Sequence, residues 1–311
     1  MRISILTGAL NVARDHKKLR QPEEWLPMFK EAGYDYLDIG LTEQSRPDEF
    51  FLAQDDWEKR ALGIKKQADE LGIKFVQCHL PFIKKATPVC DPIYSTPEGK
   101  KYYEELVRRA YVVCAILEIP FGTQHPFSDP EHTNDPDYML KVNHDYWEPF
   151  IEYGAKQGVG TAFENMRPDT PFFSVIEKYC LNSEELVTLI DSFGSKYVGA
   201  CWDTGHANDA SIKHQSDHLR RLGHRLKNTH LNDNHFGARD QHMFPYMGEN
   251  DWDDILRGLI DIDFAGVLNY EVGVGIKSFP EAFQPRMLKF VHDNGMYMLN
   301  RYEALKKEAG K

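Results

Sequence analysis

The sequence predicts a (β/α)8 barrel that forms one domain over residues 1–311. Three observations lead to this prediction. Short apolar or β-branched runs alternate eight times with longer segments of helical periodicity, which is typical of parallel sheets with crossover helices. Glycine or turn residues close the helical segments, and no charge-rich linker divides the chain. A length of 311 residues suits one barrel of this type.

The elements follow one another in a regular order. The predicted strands are residues 3–6, 36–39, 74–79, 121–125, 159–164, 197–203, 226–231 and 267–272. The predicted helices are residues 22–32, 55–71, 97–117, 136–157, 183–193, 215–222, 252–262 and 280–305. The strands are short and rich in β-branched or aromatic residues, whereas the helical segments are longer and several begin at proline. Gly33, Gly72 and Gly158 follow three of the helices, where a left-handed residue commonly ends a helix.

Two connections that leave strand ends, residues 81–96 and 165–182, are unusually long for this architecture. Loops of this length in a compact domain commonly carry function, and active sites of such barrels lie at the same end. We therefore expect these two connections to shape or cover the active site.

Composition and charge exclude several classes of protein. The formal net charge of −11 argues against a nucleic-acid partner, because such binding depends on many lysine and arginine contacts. No apolar run is long enough to span a bilayer, and the N-terminus lacks the pattern of a signal peptide. The five cysteines are scattered rather than arranged in CxxC pairs. We therefore expect a cytoplasmic protein with reduced thiols and no membrane partner.

Ionisable residues recur at the carboxyl ends of six consecutive predicted strands. They are His79, His125, Glu164, Asp203 with His206, His230 with Asp233, and Glu271. Packing gives no reason for this pattern, because the interior layers of such barrels favour valine, isoleucine and leucine. Asp38 ends the second strand, but nothing nearby in the sequence assigns it a role.

Glu164, Asp203, His230 and Glu271 form the most coherent set within this pattern. Three carboxylates in one barrel mouth would repel one another and raise their pKa values. A divalent cation removes that conflict, and carboxylates with one imidazole suit Mn²⁺, Mg²⁺, Co²⁺ or Zn²⁺. The sequence therefore predicts one divalent metal ion, for which we expect Mn²⁺ before the other three.

The strings FEN, WDTGH, HLND and YE occur in this order at the predicted strand ends. In these motifs the chain resembles the xylose isomerase-like barrel superfamily over nearly its whole length. That superfamily includes sugar isomerases, ketose 3-epimerases, inosose dehydratase-like proteins and endonuclease IV-type nucleases. The resemblance implies that Glu164, Asp203, His230 and Glu271 bind the metal, and that Glu164 and Glu271 exchange protons with the substrate. It also implies that His206 contacts a substrate hydroxyl group.

The same residues suit proton abstraction next to a carbonyl group. A base must lie close to the carbon, and a cation must stabilise the developing enediolate. Two carboxylates on opposite sides of one carbon allow epimerisation, whereas return of the proton to the adjacent carbon gives isomerisation. We predict an isomerase or epimerase of a carbohydrate, and expect the substrate to contact six side chains: His79, His125, His206, Arg239, Asp240 and His242.

Three other functions remain open at this point. One is a lyase acting on 3-oxo-sugars, resembling inosose dehydratase or the large subunit of a C-glycoside deglycosidase, with His125 or His144 as base. Another is an endonuclease IV-type enzyme, whose three zinc ions would take nine ligands: His79, His125, Glu164, Asp203, His206, His230, Asp240, His242 and Glu271. The third is a sugar-binding barrel without catalysis. We expect a homo-oligomer, joined by a small partner subunit if the protein is a C-glycoside deglycosidase.

Overall fold

Eight parallel strands form the wall of a barrel in a computed structural model that describes most of the chain. The described residues are 1–11, 19–41, 49–82, 96–129, 131–132, 134–169, 177–235 and 240–311. The strands are β1 (Ile3–Leu6), β2 (Tyr36–Gly40), β3 (Lys74–His79), β4 (Phe121–Gln124), β5 (Gly160–Glu164), β6 (Val198–Asp203), β7 (Leu226–His230) and β8 (Leu268–Tyr270). Their order in the sheet is β7-β6-β5-β4-β3-β2-β1-β8. The predicted (β/α)8 class is confirmed.

The ring closes between β7 and β8, just beyond the end of β7. The backbone N–H of Leu231 donates to the carbonyl of Asn269 at 2.7 Å, and the N–H of Glu271 donates to the carbonyl of Leu231 at 3.1 Å. These two bonds are those of a parallel bridge between Leu231 and Tyr270. Residues that follow β7 and β8 are thereby held at the same rim of the barrel.

The helices of the described chain surround this wall. They are α1 (Gly8–Asn11), α2 (Pro22–Ala32), α3 (Trp57–Leu71), α4 (Pro97–Ile116), α5 (Pro136–Lys156), α6 (Ser183–Ser192), α7 (Thr204–Asp209), α8 (Gln215–Leu222), α9 (Trp252–Asp261), α10 (Gly273–Lys277) and α11 (Gln284–Glu308). In α9 the buried residues Trp252, Ile255, Leu256 and Leu259 recur at helical spacing. This spacing directs one apolar face of the helix toward the sheet.

Several predicted boundaries are wrong by a few residues. The fourth strand stops at Gln124, so that His125 begins the loop, and β8 spans only three residues. The last helix was expected from residue 280, but a 3-10 turn over Glu281–Phe283 precedes its start at Gln284. The short helices α1, α7 and α10 were not predicted, because four to six residues are too few to show a helical period.

The barrel interior contains polar side chains beside its apolar ones. Ser4, Gln77, Asn228 and Asn269 are all buried on the strands. Four cysteines, Cys78, Cys114, Cys180 and Cys201, are buried free thiols. Among the described residues, we find no helix long and apolar enough to cross a membrane.

Candidate active site

The four predicted metal ligands lie together at the carboxyl end of the barrel. Glu164, Asp203 and His230 are the last residues of β5, β6 and β7, and Glu271 directly follows β8. Each offers one ligand atom, and these atoms all lie within 4.8 Å of one another. Glu164 and Glu271 lie 107 positions apart in the sequence. Their shared location at the strand ends brings them together.

His230 connects two of the carboxylates. Its Nδ1 atom lies 2.8 Å from Oε1 of Glu164 and 3.0 Å from Oε2 of Glu271. The side chains of His230 and Glu164 are almost completely buried, and Glu271 is 13% exposed. The group therefore faces the mouth of the barrel through Glu271.

Asp203 is held by hydrogen bonds from its surroundings. The backbone N–H of His206 donates to Oδ1 at 2.7 Å, and Nδ2 of Asn232 donates to Oδ2 at 2.8 Å. Asn165 fixes the backbone by accepting from the N–H of Asp203 and donating to its carbonyl. The bond from the N–H of His206 to Asp203 also caps α7. Formation of this helix and orientation of the carboxylate therefore depend on the same contact.

Burial acts against the charged forms of the three carboxylates in this group. Burial raises the pKa of Asp203 to about 7, and the neighbouring Glu164 and Glu271 act in the same direction. Burial also disfavours the charged form of Glu271, but His230 and His242 bring its pKa down to about 2. Oε2 of Glu164 is buried and, within the described residues, accepts no well-formed hydrogen bond. A buried carboxylate oxygen without a well-formed hydrogen bond, next to Asp203 that resists ionisation, fits a divalent cation site.

A second group of side chains lies close to the carboxylate of Glu164. Nε2 of His125 lies 3.1 Å and Nε2 of His79 lies 3.6 Å from Oε2 of Glu164. Phe82 contacts both imidazoles, with ring centroids 4.3 Å from His125 and 4.7 Å from His79. Burial lowers the pKa of His125 to about 4, so this imidazole is neutral near pH 7.

A third group lies next to Asp203 and Glu271. Oδ1 of Asp240 is 2.9 Å from Nε2 of His242 and 3.8 Å from Nε2 of His206. The Nδ1 atoms of His206 and His242 lie 2.8 Å from the carbonyls of Asn165 and Glu271, respectively. Burial acts to lower the pKa of His206. The nearby Asp203 and Asp240 outweigh burial and raise this pKa to about 10.

Comparison with known proteins identifies the family. The sequence model described as "Xylose isomerase-like TIM barrel" matches residues 27–286. The chain belongs to this family.

Two curated relatives are similar to this chain over part of their length. "Uncharacterized protein y4fM" of Sinorhizobium fredii is 39% identical over 83 residues, 27% of this chain and 26% of that protein. "Uncharacterized protein MJ1311" of Methanocaldococcus jannaschii is 26% identical over 183 residues, 58% of this chain and 60% of that protein.

Solved structures resemble this xylose isomerase-like barrel over nearly its full length. A D-tagatose 3-epimerase-like protein has a TM-score of 0.70 at 19% identity, covering 100% of both chains. D-psicose 3-epimerase in the presence of D-fructose has a TM-score of 0.66 at 15% identity, covering 96% of this chain and 99% of that one. The IOLI protein with a binding zinc atom has a TM-score of 0.72 at 15% identity, covering 97% and 99%. At these identities the likeness shows a common fold.

The family barrel thus collects nearly all of the predicted site residues in one mouth. Arg239 lies outside the described residues, as do most residues of the two long connections, so those predictions stay predictions. His144 is not part of this mouth. Its ring stacks on Phe193 with centroids 4.7 Å apart, and that phenylalanine stacks on Phe163, which places His144 in the outer helical layer. This contact does not support the alternative role of His144 as a lyase base.

Sequence reasoning missed four residues that contact the site. Phe82 follows β3 and covers the two histidines, and Asn232 donates to Asp203. Arg167 lies 3.4 Å from Asp240 through Nε, and Asp38 lies 3.5 Å from His230. Asn232 lies within the HLND motif, and Arg167 follows the FEN motif by two residues. Their closeness to these motifs could have predicted that both lie near the site.

Proposed function

We propose that this protein is a divalent-metal-dependent isomerase or epimerase of a sugar or sugar derivative. The observation that carries the proposal is that Glu164 and Glu271 both lie within hydrogen-bonding distance of Nδ1 of His230, at 2.8 and 3.0 Å. Two carboxylates that close to one point can both reach one small substrate. Two structural neighbours are a D-psicose 3-epimerase and a D-tagatose 3-epimerase-like protein, which supports sugar chemistry on this scaffold.

Glu164, Asp203, His230 and Glu271 would hold the cation. A bound divalent ion would supply positive charge next to the substrate oxygens, which would stabilise a developing enediolate. The chain supplies the acids and bases. The carboxylates of Glu164 and Glu271 both have lowered pKa values and are ionised near pH 7, so either one can accept a proton from carbon.

The direction of proton return decides the reaction. If Glu164 removes a proton from one face and Glu271, after taking up a proton from solvent, delivers it to the opposite face, the carbon is epimerised, and Glu164 then returns its proton to solvent. If the first carboxyl returns its proton to the adjacent carbon, the sugar is isomerised. In this proposal His79, His125 and Phe82 form one wall of the substrate pocket, and His206, Asp240 and His242 form the other. The neutral His125 can donate to or accept from a substrate hydroxyl.

Two measurements on the purified protein test this function together. Metal content per chain is determined first, and deuterium uptake from ²H₂O is then followed in a panel of free ketoses and 3-oxo-glycosides. We expect one ion per chain and deuterium at the carbon beside the carbonyl of a ketose. Aglycone release from a 3-oxo-glycoside without exchange into ketoses would instead identify a lyase. A protein that binds no divalent metal would contradict the proposal.

A second candidate function rests on the arrangement of the three groups around Glu164. His79, His125 and Glu164 form one candidate metal group, and Glu164, Asp203, His230 and Glu271 form another that shares Glu164. His206, Asp240 and His242 form a third cluster beside them. This assembly favours a nuclease with several zinc ions, whereas the net charge of −11 opposes DNA binding. Three zinc ions per chain with cleavage of abasic DNA would establish this function in place of the isomerase.

We also propose that the protein is a homo-oligomer. Exposed apolar side chains gather on and near α11, including Phe283, Phe290 and Tyr297, which are 43%, 49% and 61% exposed. Tyr246 lies against Tyr297, with ring centroids 5.4 Å apart, and extends the patch. Large exposed apolar patches commonly mark protein interfaces. Light scattering on the purified protein checks the oligomeric state, and co-purification of a small subunit would favour the deglycosidase alternative.

A further inference from the structure

Asp38 is a fully buried carboxylate inside the barrel, on β2. Its Oδ2 atom accepts hydrogen bonds from Nε2 of Gln77 and from Nδ2 of Asn269, both at 2.8 Å. Within the described residues, its one ion-pair partner is His230, whose Nε2 atom lies 3.5 Å from Oδ2. No lysine or arginine of the described chain neutralises this carboxylate, which is unusual for a buried aspartate.

The ring of His230 connects Asp38 with the candidate metal group. Nδ1 faces Glu164 and Glu271, whereas Nε2, on the other side of the ring, faces Asp38. Nε2 of His230 and Oδ1 of Asp38 are both buried without a hydrogen-bond partner in the described structure. The 3.5 Å separation exceeds a normal hydrogen bond, and a shift of about 0.5 Å would close it. An imidazole nitrogen without a partner therefore lies next to a carboxylate that has one oxygen without a partner.

Hydrogen bonds from three other strands fix Asp38 in this position. Ser4 on β1 donates to Oδ1 of Asn269 at 2.6 Å, which turns the amide nitrogen of Asn269 toward Asp38. Nε2 of Gln77 on β3 also donates to the carbonyl of Thr229, next to His230 in the chain, at 3.2 Å. Both amides can only donate through these nitrogens, so Asp38 is set up as an acceptor.

We propose that Asp38 is a positioning residue that accepts a hydrogen bond from Nε2 of His230 and thereby directs Nδ1 at the metal group, where it would be unprotonated when the metal is bound. A metal-binding imidazole must have one bare nitrogen, and a carboxylate on the other nitrogen fixes that tautomer and makes the ring a stronger ligand. This inference rests on the metal dependence proposed above. It extends the site by a residue on the far side of His230 that makes no contact with the other three ligands.

Metal affinity in Asp38→Asn tests the proposal, with Ser4→Ala as the matched control. Both substitutions alter the same buried network, but only the first removes the negative charge of the acceptor that faces His230. Co²⁺ is titrated by calorimetry and by visible absorption. We expect roughly 10- to 100-fold weaker Co²⁺ binding in Asp38→Asn, with a changed absorption spectrum, and near-wild-type binding in Ser4→Ala. Unchanged affinity and spectrum in a folded Asp38→Asn protein, or equal losses in both variants, would overturn the proposal.

A measurement on the wild type decides the case if Asp38→Asn does not fold. Protein labelled with ¹⁵N-histidine is loaded with Zn²⁺, and the imidazole nitrogens are observed by NMR. The histidine whose Nδ1 signal shifts on zinc binding should carry its proton on Nε2, in slow exchange with water. Zinc binding through Nε2 of that ring, or a bare Nε2, contradicts the role of Asp38. A wild-type protein that binds neither Co²⁺ nor Zn²⁺ overturns the proposed function itself.

Discussion

Nδ1 of His230 lies 2.8 Å from Oε1 of Glu164, deep in the barrel and shielded from water. The same nitrogen lies 3.0 Å from Oε2 of Glu271, so in the metal-free protein a proton on Nδ1 can bond to both carboxylates. Burial lowers the pKa of His230, but the surrounding anions raise it well above the ordinary value. A cation bound between these carboxylates would replace that proton, and we expect metal binding to release protons.

Glu164→Gln should abolish turnover while retaining the fold. The substitution removes the charge at nearly constant volume, and loss of a general base costs about 10²- to 10⁴-fold in rate. Deuterium exchange into the substrate measures the rate, and circular dichroism checks the fold. Glu152→Gln, which changes an exposed glutamate on α5, is the control and should exchange at the wild-type rate. Wild-type exchange by Glu164→Gln would remove Glu164 from the mechanism.

Asp203→Asn should weaken metal binding without unfolding the protein. Oδ1 of Asn232 is buried without a hydrogen-bond partner in the described structure, so an amide flip of Asn232 gives the new side chain an acceptor. We expect metal affinity to fall by roughly tenfold or more, because an anionic ligand is lost. Asp209→Asn, six residues further along the chain and outside the four-ligand group, is the control. Equal metal content in wild type and Asp203→Asn after dialysis would exclude Asp203 as a ligand.

The sequence was sufficient for the barrel and for the rim of the site. Alternation of strands and helices is a local pattern, and a parallel barrel places every strand end at one rim, so Glu164, Asp203 and His230 could be grouped before any contact was known. Glu271 follows β8 by one residue because that strand is short, yet the bond from its N–H to Leu231 keeps it at the same rim.

The role of Asp38 could not be predicted, because it depends on contacts between distant parts of the chain. Gln77 and Asn269 are 39 and 231 residues away from Asp38 in the sequence. A single aspartate in a strand carries no local signal for such partners. The same holds for Phe82, whose contact with His79 and His125 depends on how the loop after β3 turns over the mouth.

Gly160→Ala should destabilise the barrel below the site. A Cβ atom there would lie 2.8 Å from the carbonyl of Tyr197 and even closer to the ring of Phe121, so backbone must move. We expect a loss of about 1–3 kcal/mol in the free energy of unfolding, measured by urea denaturation. Gly63→Ala provides the opposite control. It lies in α3 with nothing within 4 Å of the added atom, and should stabilise the protein by up to about 1 kcal/mol. Comparable effects of the two substitutions would contradict this packing argument.

The metal-free protein should lose stability as the pH rises from about 6 to about 9. The pKa of Asp203 is raised to about 7 in the folded state, from 3.8 in the unfolded chain. Its contribution to the free energy of unfolding is therefore complete below pH 3.8 and is lost as the pH rises through 7. The pKa of His206 is raised to about 10 in the folded state, from 6.5 in the unfolded chain. Its contribution to the free energy of unfolding is complete below pH 6.5 and is lost as the pH approaches 10. Both changes have the same sign, because the folded state holds each proton more tightly than the unfolded chain does.

Thermal unfolding in the presence of a chelator, at several pH values, measures this decline. The carboxylates with lowered pKa values, such as Glu271 at about 2, change protonation only in acid and leave this window unaffected. His206→Gln removes one of the two contributions, so its unfolding temperature should fall less steeply above about pH 7 than that of the wild type. An unfolding temperature that rises over this range would mean that Asp203 and His206 do not hold their protons in the folded state. In that case the barrel mouth would tolerate its carboxylates as they are, and a cation at Glu164, Asp203 and Glu271 would not be needed to stabilise them.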